Sequence, residues 1–208
     1  MILKICGITN QEDATAALEG GANAIGFNFY PPSPRYIAPE RAAEIGTPDG
    51  VRRVGVFVNE ARERVEEVAR MAALGVAQLH GDETPAEYPA GLAVWKAARV
   101  MADFDLSQYD DCPAEALLLD GPAAEMYGGS GKSFDWSMAA RQAFQEARPT
   151  ISRIILAGGL DASNVKRAVD LARPWGVDAC SRIESAPGKK DLKKMRAFLE
   201  AARAALQA

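Results

Sequence analysis

The chain reads as an α/β protein, a single-domain eight-stranded parallel (βα)8 TIM barrel spanning residues 1–208. Three observations predict it. Short β-branched apolar runs alternate with alanine-rich helical stretches from end to end, the order that gives a parallel sheet. Most of the runs are continuously apolar, as strands buried on both faces require. There are eight of them, and 208 residues shared among eight units leave about 26 each, close to the minimum for a strand, a helix and two short connections. An open doubly wound sheet is the competing arrangement. Its dinucleotide site would carry GxGxxG after the first strand, whereas this chain has CGITNQ at 6–11. No Pro/Ser/Gly-rich linker divides the chain into halves.

Taken in order, the first strand falls at 3–6 and the first helix follows Asn10, a good N-cap, ending at Gly20 and Gly21. Strands follow at 24–29 and 53–58. Asn59 is the expected cap of a long helix over 60–74, closed by Gly75. The fourth strand, 76–80, leads to Thr84 and Pro85, an N-cap with proline at the first helical position, where its missing N–H does no harm. Strands at 93–98 and 116–120 flank the weakest helical pattern, 101–112. The last two strands fall at 153–157 and 177–181. The closing helix repeats apolar residues at Leu192, Met195, Leu199, Ala202 and Leu206, with lysine and arginine elsewhere on its surface.

Composition narrows the function. With 48% hydrophobic and 25% charged residues the chain is neither collagen-like nor disordered. Its 24 basic against 28 acidic residues give a net charge of −4, which disfavours nucleic acid and anionic membranes yet permits a local phosphate site. Cysteines at 6, 112 and 180 are odd in number and lack CxxC spacing, so no disulfide framework is expected. A single histidine, His80, rules out a metal site built on several histidines. The N-terminus turns polar at Thr9 without a basic-then-apolar leader, and no run approaches the roughly 18 apolar residues of a membrane helix. A cytoplasmic protein is expected.

In such a barrel the chemistry lies at the C-terminal ends of the strands, with phosphate often held after strands seven and eight. That gives Cys6, Arg35, His80, Asp120, Gly158, Gly159 and the stretch 181–190. Cys6 and Asp120 offer a base and an acid on different strands; a small buried hydrophobe and a turn cap are their ordinary alternatives. To be half active at pH 7 the thiol needs a shift of roughly 1.5 units down and the carboxyl about 3 units up. Gly158 and Gly159 can bring backbone N–H groups close to an anion, or form a plain tight turn, before Asp161, where the next helix is expected. A second glycine cluster, 128–132, is either a lid or a phosphate contact. Arg35 sits in a proline-stiffened loop, PPSPRY at 31–36, which suits a bidentate anion partner. His80 is read as structural, and Cys112, Trp95, Trp136 and Trp175 as packing.

At these positions the sequence resembles the phosphoribosylanthranilate isomerases of tryptophan biosynthesis. The motifs are KICGIT at 4–9, GFNFYPPSPRYI at 26–37, VGVFVN at 54–59, QLHGDE at 78–83 and LLLD at 117–120. YGGSGKSFDW at 127–136, LAGGL at 156–160 and PGKKD at 187–191 follow in the same order. The resemblance implies a (βα)8 barrel that catalyses a cofactor-free Amadori rearrangement of N-(5-phosphoribosyl)anthranilate, with no metal. It implies Cys6 as general base, Asp120 as general acid, Arg35 at the anthranilate end, and Gly158 and Gly159 at the phosphate with the loop after strand eight, here Ser181 and Arg182. The partner expected is a small phosphorylated substrate, with neither nucleic acid nor membrane, for a monomer or homodimer.

One stretch departs from the family pattern. Where DVSSGVE is usual, residues 178–184 read DACSRIE. Arg182 replaces a glycine, which costs roughly 1–2 kcal/mol if that backbone has positive φ. Three readings stand: Arg182 obstructs the phosphate and leaves a phospholigand-binding barrel with impaired turnover, it contributes a guanidinium, or it points harmlessly outward. Cys180, in place of a serine, is read as packing. Another phosphosugar barrel, an epimerase or the indole-glycerol-phosphate synthase, is the alternative enzyme, disfavoured by the single histidine and by the Cys6/Asp120 pair.

Overall fold

A computed structural model of the chain describes residues 1–101, 103–121 and 153–207. The glycine cluster at 128–132 and Trp136 lie outside the described residues. Strands β1 (Ile2–Cys6), β2 (Ala24–Asn28), β3 (Arg52–Phe57), β4 (Val76–Leu79), β5 (Ala93–Arg99), β6 (Ala116–Asp120), β7 (Ile154–Leu156) and β8 (Gly176–Ala179) close into a barrel in chain order. Every neighbouring pair is parallel, and β8 returns to β1 with Lys4 opposite Asp178 and Ile5 opposite Ala179. The doubly wound alternative is thereby excluded.

Described helices are α1 (Gln11–Glu19), α2 (Pro39–Glu44), α3 (Arg62–Met71), α4 (Val165–Ala172) and α5 (Leu192–Gln207), with 3-10 turns at Pro85–Glu87, Leu106–Tyr109 and Ser181–Ile183. A small hairpin that the sequence pattern did not announce, β9 (Glu184–Ala186) with β10 (Lys189–Lys190), follows β8.

The period of two along each strand sorts the side chains into two cores. Leu3, Ile5, Ile25, Phe27, Leu117 and Leu119 face the helices and join Ala14, Val65, Val165, Phe198 and Leu199 in the outer core. Ile2, Ala24, Val54, Val76, Trp95, Leu118 and Ile155 fill the base of the barrel. Trp95 is fully buried there, its Nε1 donating to Glu115 at 3.1 Å and its ring meeting Trp175 edge-on at 6.1 Å. Higher up the inner positions turn polar: Lys4, Cys6, Gln78, Asp120 and Asp178 are all buried. An apolar floor beneath polar groups is what places chemistry at one end of the barrel.

Helix starts differ from the sequence expectation where side chains found other partners. Asn10 caps α1 as expected, accepting from the Asp13 N–H at 2.8 Å. Asn59 does not cap α3. It adopts φ +50° and spends its Oδ1 on the Asp82 N–H at 2.7 Å, while its own N–H donates to Glu83. Helix α3 therefore begins at Arg62, behind Ala61. Thr84 does form a capping box with Glu87, but only one 3-10 turn results. Pro89 pushes Tyr88 to extended geometry and Gly91 takes φ +73°, so no helix continues. Among the described residues of the 101–112 segment there is likewise only a 3-10 turn.

The β1–β8 seam is tight at its base. A Cβ on Gly176 would lie 2.5 Å from Ile2 Cβ and 2.7 Å from the Ile2 carbonyl oxygen. Gly176→Ala is expected to destabilise the fold by about 1–3 kcal/mol, the usual cost of overpacking. Urea denaturation checks it, and an unchanged midpoint would show that the seam yields freely.

Candidate active site

Lys4 and Cys6 are successive inward residues of β1, and Asp178 lies across the seam on β8. Lys4 Nζ donates to Asp178 Oδ2 at 2.9 Å, with the lysine wholly buried. Space for this comes from β2. A Cβ on Gly26 would stand 2.8 Å from Cys6 Sγ and 3.1 Å from Lys4 Nζ, so a larger residue there would displace both.

The thiol of Cys6 is held well below its ordinary range. The neighbouring Cys180 thiol is the largest cause, and the Lys4 and Lys190 ammonium groups add to it, against the opposing effect of burial. Cys180 moves the other way, its thiol pushed up by the neighbouring Cys6 and by burial. Burial would discharge Lys4, but Asp178 and Cys6 outweigh it and hold the ammonium above its usual value. Burial also pushes the Asp178 carboxyl up to about 7, against the pull of Lys4. Cys180, read as packing from the sequence, lines the same cleft as Cys6 and bears on its thiol.

Asp120 ends β6 and is buried, 8% exposed. Its Oδ1 accepts from the Gly121 N–H at 2.8 Å. Its Oδ2 lies 3.3 Å from His80 Nε2, just beyond the end of β4. Gln78 Nε2 stands 3.1 Å from His80 Nδ1. If the Gln78 amide donates there, the neutral ring carries its proton on Nε2, facing the carboxyl. His80, read as merely structural in the sequence, therefore faces the carboxyl of Asp120. Gly158 explains how β7 fits beside this group. Its φ of +76° and the 2.4 Å from its would-be Cβ to the Gly121 nitrogen leave room for no side chain.

Arg35 is clamped. Its Nε and Nη2 both donate to Glu184, at 2.9 and 2.8 Å, and Lys190 Nζ donates to the same carboxylate at 2.9 Å. Burial opposes the Glu184 charge, but Arg35 and Lys190 hold its carboxyl below the usual range. Nη1 of Arg35 has no hydrogen-bond partner among the described residues. The loop carrying Arg35 is stiffened by Asn28, whose Nδ2 donates to Ser33 Oγ at 3.1 Å, and by the Arg35 N–H donating to that oxygen at 3.2 Å.

Cys6, Arg35, His80, Asp120, Gly158, Gly159, Ser181 and Arg182 all line one cleft, together with Gln78 and Asp178. Of the stretch 181–190, Ser181 and Arg182 reach this cleft, whereas residues 183–190 do not line it. Three buried polar atoms lack a hydrogen-bond partner among the described residues: Gln78 Oε1, His80 Nε2 and Asp178 Oδ1. Each costs about 1–3 kcal/mol when left unmet, so they suit a ligand bearing hydroxyls. Lys4, Gln78, Asp178 and Glu184 were not singled out from the sequence. The period of two would have pointed to Lys4 and Gln78, each an inward polar residue two positions before a candidate.

The phosphate end differs from expectation in two respects. Asp161 does not begin a helix: its N–H donates to Asn164 Oδ1 at 2.9 Å in a turn, and α4 starts only at Val165. The anion-ready groups are therefore the left-handed pair Gly158 and Gly159 (φ +76° and +65°), not a helix end. Arg182 lies in the 3-10 turn and is absent from the residues of positive φ, so the strain considered for it does not arise. Its Nη1 donates to Asp161 Oδ2 at 3.2 Å, half exposed at the rim.

Comparison with known proteins follows the same lines. The family model described as N-(5'-phosphoribosyl)anthranilate (PRA) isomerase matches residues 3–201. An N-(5'-phosphoribosyl)anthranilate isomerase of Solibacter usitatus (strain Ellin6076) is 68% identical over 208 residues, the whole of both chains. A crystal structure of mutually generated monomers of the dimeric phosphoribosylanthranilate isomerase from Thermotoga maritima superposes with a TM-score of 0.84 at 39% identity, covering 98% of this chain and 100% of that one. A phosphoribosyl anthranilate isomerase in complex with reduced 1-(o-carboxyphenylamino)-1-deoxyribulose 5-phosphate gives a TM-score of 0.84 at 38% identity, with the same coverage. No helix among the described residues is long and apolar enough to cross a membrane.

The electrostatics of Cys6 make a prediction with a definite sign. The thiolate is the reactive form and accumulates as pH rises, so a lowered pKa carries reactivity to lower pH. In Lys4→Met one of the lowering cations is gone. The midpoint for alkylation of Cys6 by iodoacetamide is expected to move to higher pH, with Asp178 taking up a proton. A midpoint that stays put would mean that Lys4 has no electrostatic hold on the thiol.

Proposed function

Since the chain belongs to the family of N-(5'-phosphoribosyl)anthranilate isomerases, enzymes of tryptophan biosynthesis, we propose that Cys6 and Asp120 carry its reaction. The substrate is N-(5-phosphoribosyl)anthranilate and the product 1-(2-carboxyphenylamino)-1-deoxyribulose 5-phosphate. The observation that carries this reading is the meeting of a depressed thiol and a buried carboxyl in one cleft, with left-handed glycines and a fixed guanidinium at its edges.

In this mechanism protonated Asp120 donates to the furanose ring oxygen, and the ring opens to a Schiff base whose iminium acidifies the C2 proton. The Cys6 thiolate removes that proton to give an enolamine, which tautomerises to the ketone. As the proton leaves Asp120, its Oδ2 becomes a better acceptor, and His80 Nε2 stands 3.3 Å away to meet it. His80 is thus a positioning residue for the acid, itself oriented by Gln78. Arg35 keeps Nη1 for the anthranilate carboxylate while Glu184 holds the other edge of the guanidinium. Gly158, Gly159 and Ser181 supply backbone and side-chain donors to the phosphate.

Arg182 takes part in the same recognition. Its unstrained backbone, its place on the cleft wall and its exposed pairing with Asp161 favour a guanidinium that reaches the phosphate. The barrel would act alone on this small molecule, as one domain, without cofactor.

The tests are direct. Expression in a tryptophan auxotroph lacking this step is expected to restore growth, and the fluorescence of the anthranilate substrate to decay in the presence of purified protein. Cys6→Ser and Asp120→Asn are each expected to lower kcat about a hundred- to ten-thousandfold with little change in KM. Near-normal turnover in either would remove its assigned role. Arg182→Gly is expected to raise KM about five- to tenfold at unchanged kcat, whereas a marked fall in KM would make Arg182 an obstruction.

A further inference from the structure

Cys6 ends β1, and Cys180 follows directly on β8, its neighbour in the barrel. Ile5 and Ala179 are register partners in the β1–β8 ladder, and the two cysteines are the next residue on each side. Neighbouring strands run about 4.8 Å apart, so the last ladder pair leaves the two chains at a separation comparable with the roughly 4.4–6.8 Å between Cα atoms that a disulfide needs. Both side chains line the cleft, and a Cβ on Gly7, the residue after Cys6, would lie only 3.1 Å from Cys180 Sγ. Neither cysteine is in a disulfide. Lys190 Nζ lies 3.9 Å from Cys180 Sγ and Lys4 beside Cys6, so the pair sits in a positively charged corner.

We propose that Cys6 and Cys180 form an oxidisable dithiol, a site at which hydrogen peroxide crosslinks the cleft and reversibly stops turnover. The chemistry is balanced. The Cys6 thiolate attacks the peroxide, an S–O bond forms as the O–O bond breaks, and the departing hydroxide leaves as water after taking a proton. Cys6 is then a sulfenic acid, oxidised by two electrons. The sulfur of Cys180 attacks it, the S–S bond forms as the S–O bond breaks, and the second oxygen leaves as water with the proton of Cys180. Two thiols and one peroxide give one disulfide and two waters. The lowered Cys6 thiol suits the first attack on peroxide. Serine, usual at 180 in the family pattern, could not close the bond, so this property belongs to the chain and not to the fold. Cys112 lies elsewhere, against the hydroxyl of Tyr88 at 3.3 Å, and serves as an internal control.

The loss of turnover rests on Cys6 being the general base, whereas the crosslink does not, and one experiment separates them. The reduced full-length protein is treated with equimolar hydrogen peroxide, followed by intact mass, peptide mapping and isomerase activity. A loss of about 2 Da is expected, mapped to a Cys6–Cys180 crosslink with Cys112 free. Activity should fall by about tenfold or more and return with dithiothreitol. In Cys180→Ser the same treatment is expected to add oxygen to Cys6, and inactivation by continued oxidation should no longer be reversed by dithiothreitol. If the wild-type protein yields no crosslink and accumulates sulfinic acid at Cys6 as the variant does, the dithiol is overturned. A crosslink formed at full turnover would instead overturn Cys6 as the base.

Discussion

The ion pair between Lys4 and Asp178 holds the top of the barrel together. Burying either charge alone would cost several kcal/mol, so each is tolerable only because the other lies 2.9 Å away across the closing seam. Their register fixes what stands above them. With Lys4 opposite Asp178, the level below is Ile2 against Gly176, and above it Cys6 ends β1 while Cys180 follows directly on β8. One seam therefore carries a graded column: an apolar base, a charged middle and a reactive rim. A slip of one residue would turn Cys6 toward the helices and Ile5 into the cleft.

A second cluster does for the guanidinium what this pair does for the thiol. Glu184 draws Arg35 and Lys190 to itself, and the Lys190 N–H in turn donates to Asp13 of α1 at 3.0 Å. Thr9 Oγ1 donates to the Gly188 carbonyl at 2.6 Å. The hairpin of β9 and β10 is thus pinned to the loop after β1 and to the helix that follows. Both clusters place cations around Cys6, and both use buried carboxylates to keep those cations fixed.

Much of this was legible beforehand, and the rest was hidden for definite reasons. Strand positions could be read because parallel strands buried on both faces leave unbroken apolar runs. Cys6, Asp120 and the two glycines could be read because the fold puts chemistry at strand ends. Asn59 misled because its side chain serves the next loop and not its own helix. Thr84 misled because Pro89 cuts off the helix that its capping box begins. Lys4 and Asp178 passed unnoticed because a charge inside an apolar run gains meaning only once its partner, on the far side of the sequence, is known. Cys180 reads as packing because nothing in its own neighbourhood shows that it lines the same cleft as Cys6. The positive-φ concern over Arg182 came from the glycine of the family pattern, which tells nothing of the conformation that this chain adopts.

The closure of β8 onto β1 has a consequence for synthesis. Lys4 and Asp178 are 174 positions apart, and Thr9 waits for Gly188. A chain leaving the ribosome N-terminus first carries its reactive cysteine until residues 178–190 are made, and only then do its distant partners exist. Contacts so distant in sequence form late and slowly. The catalytic end of the barrel is accordingly the last part to take shape, and a nascent chain stalled before its eighth strand holds most of a barrel but lacks Cys180, Asp178 and Lys190, which complete the environment of Cys6.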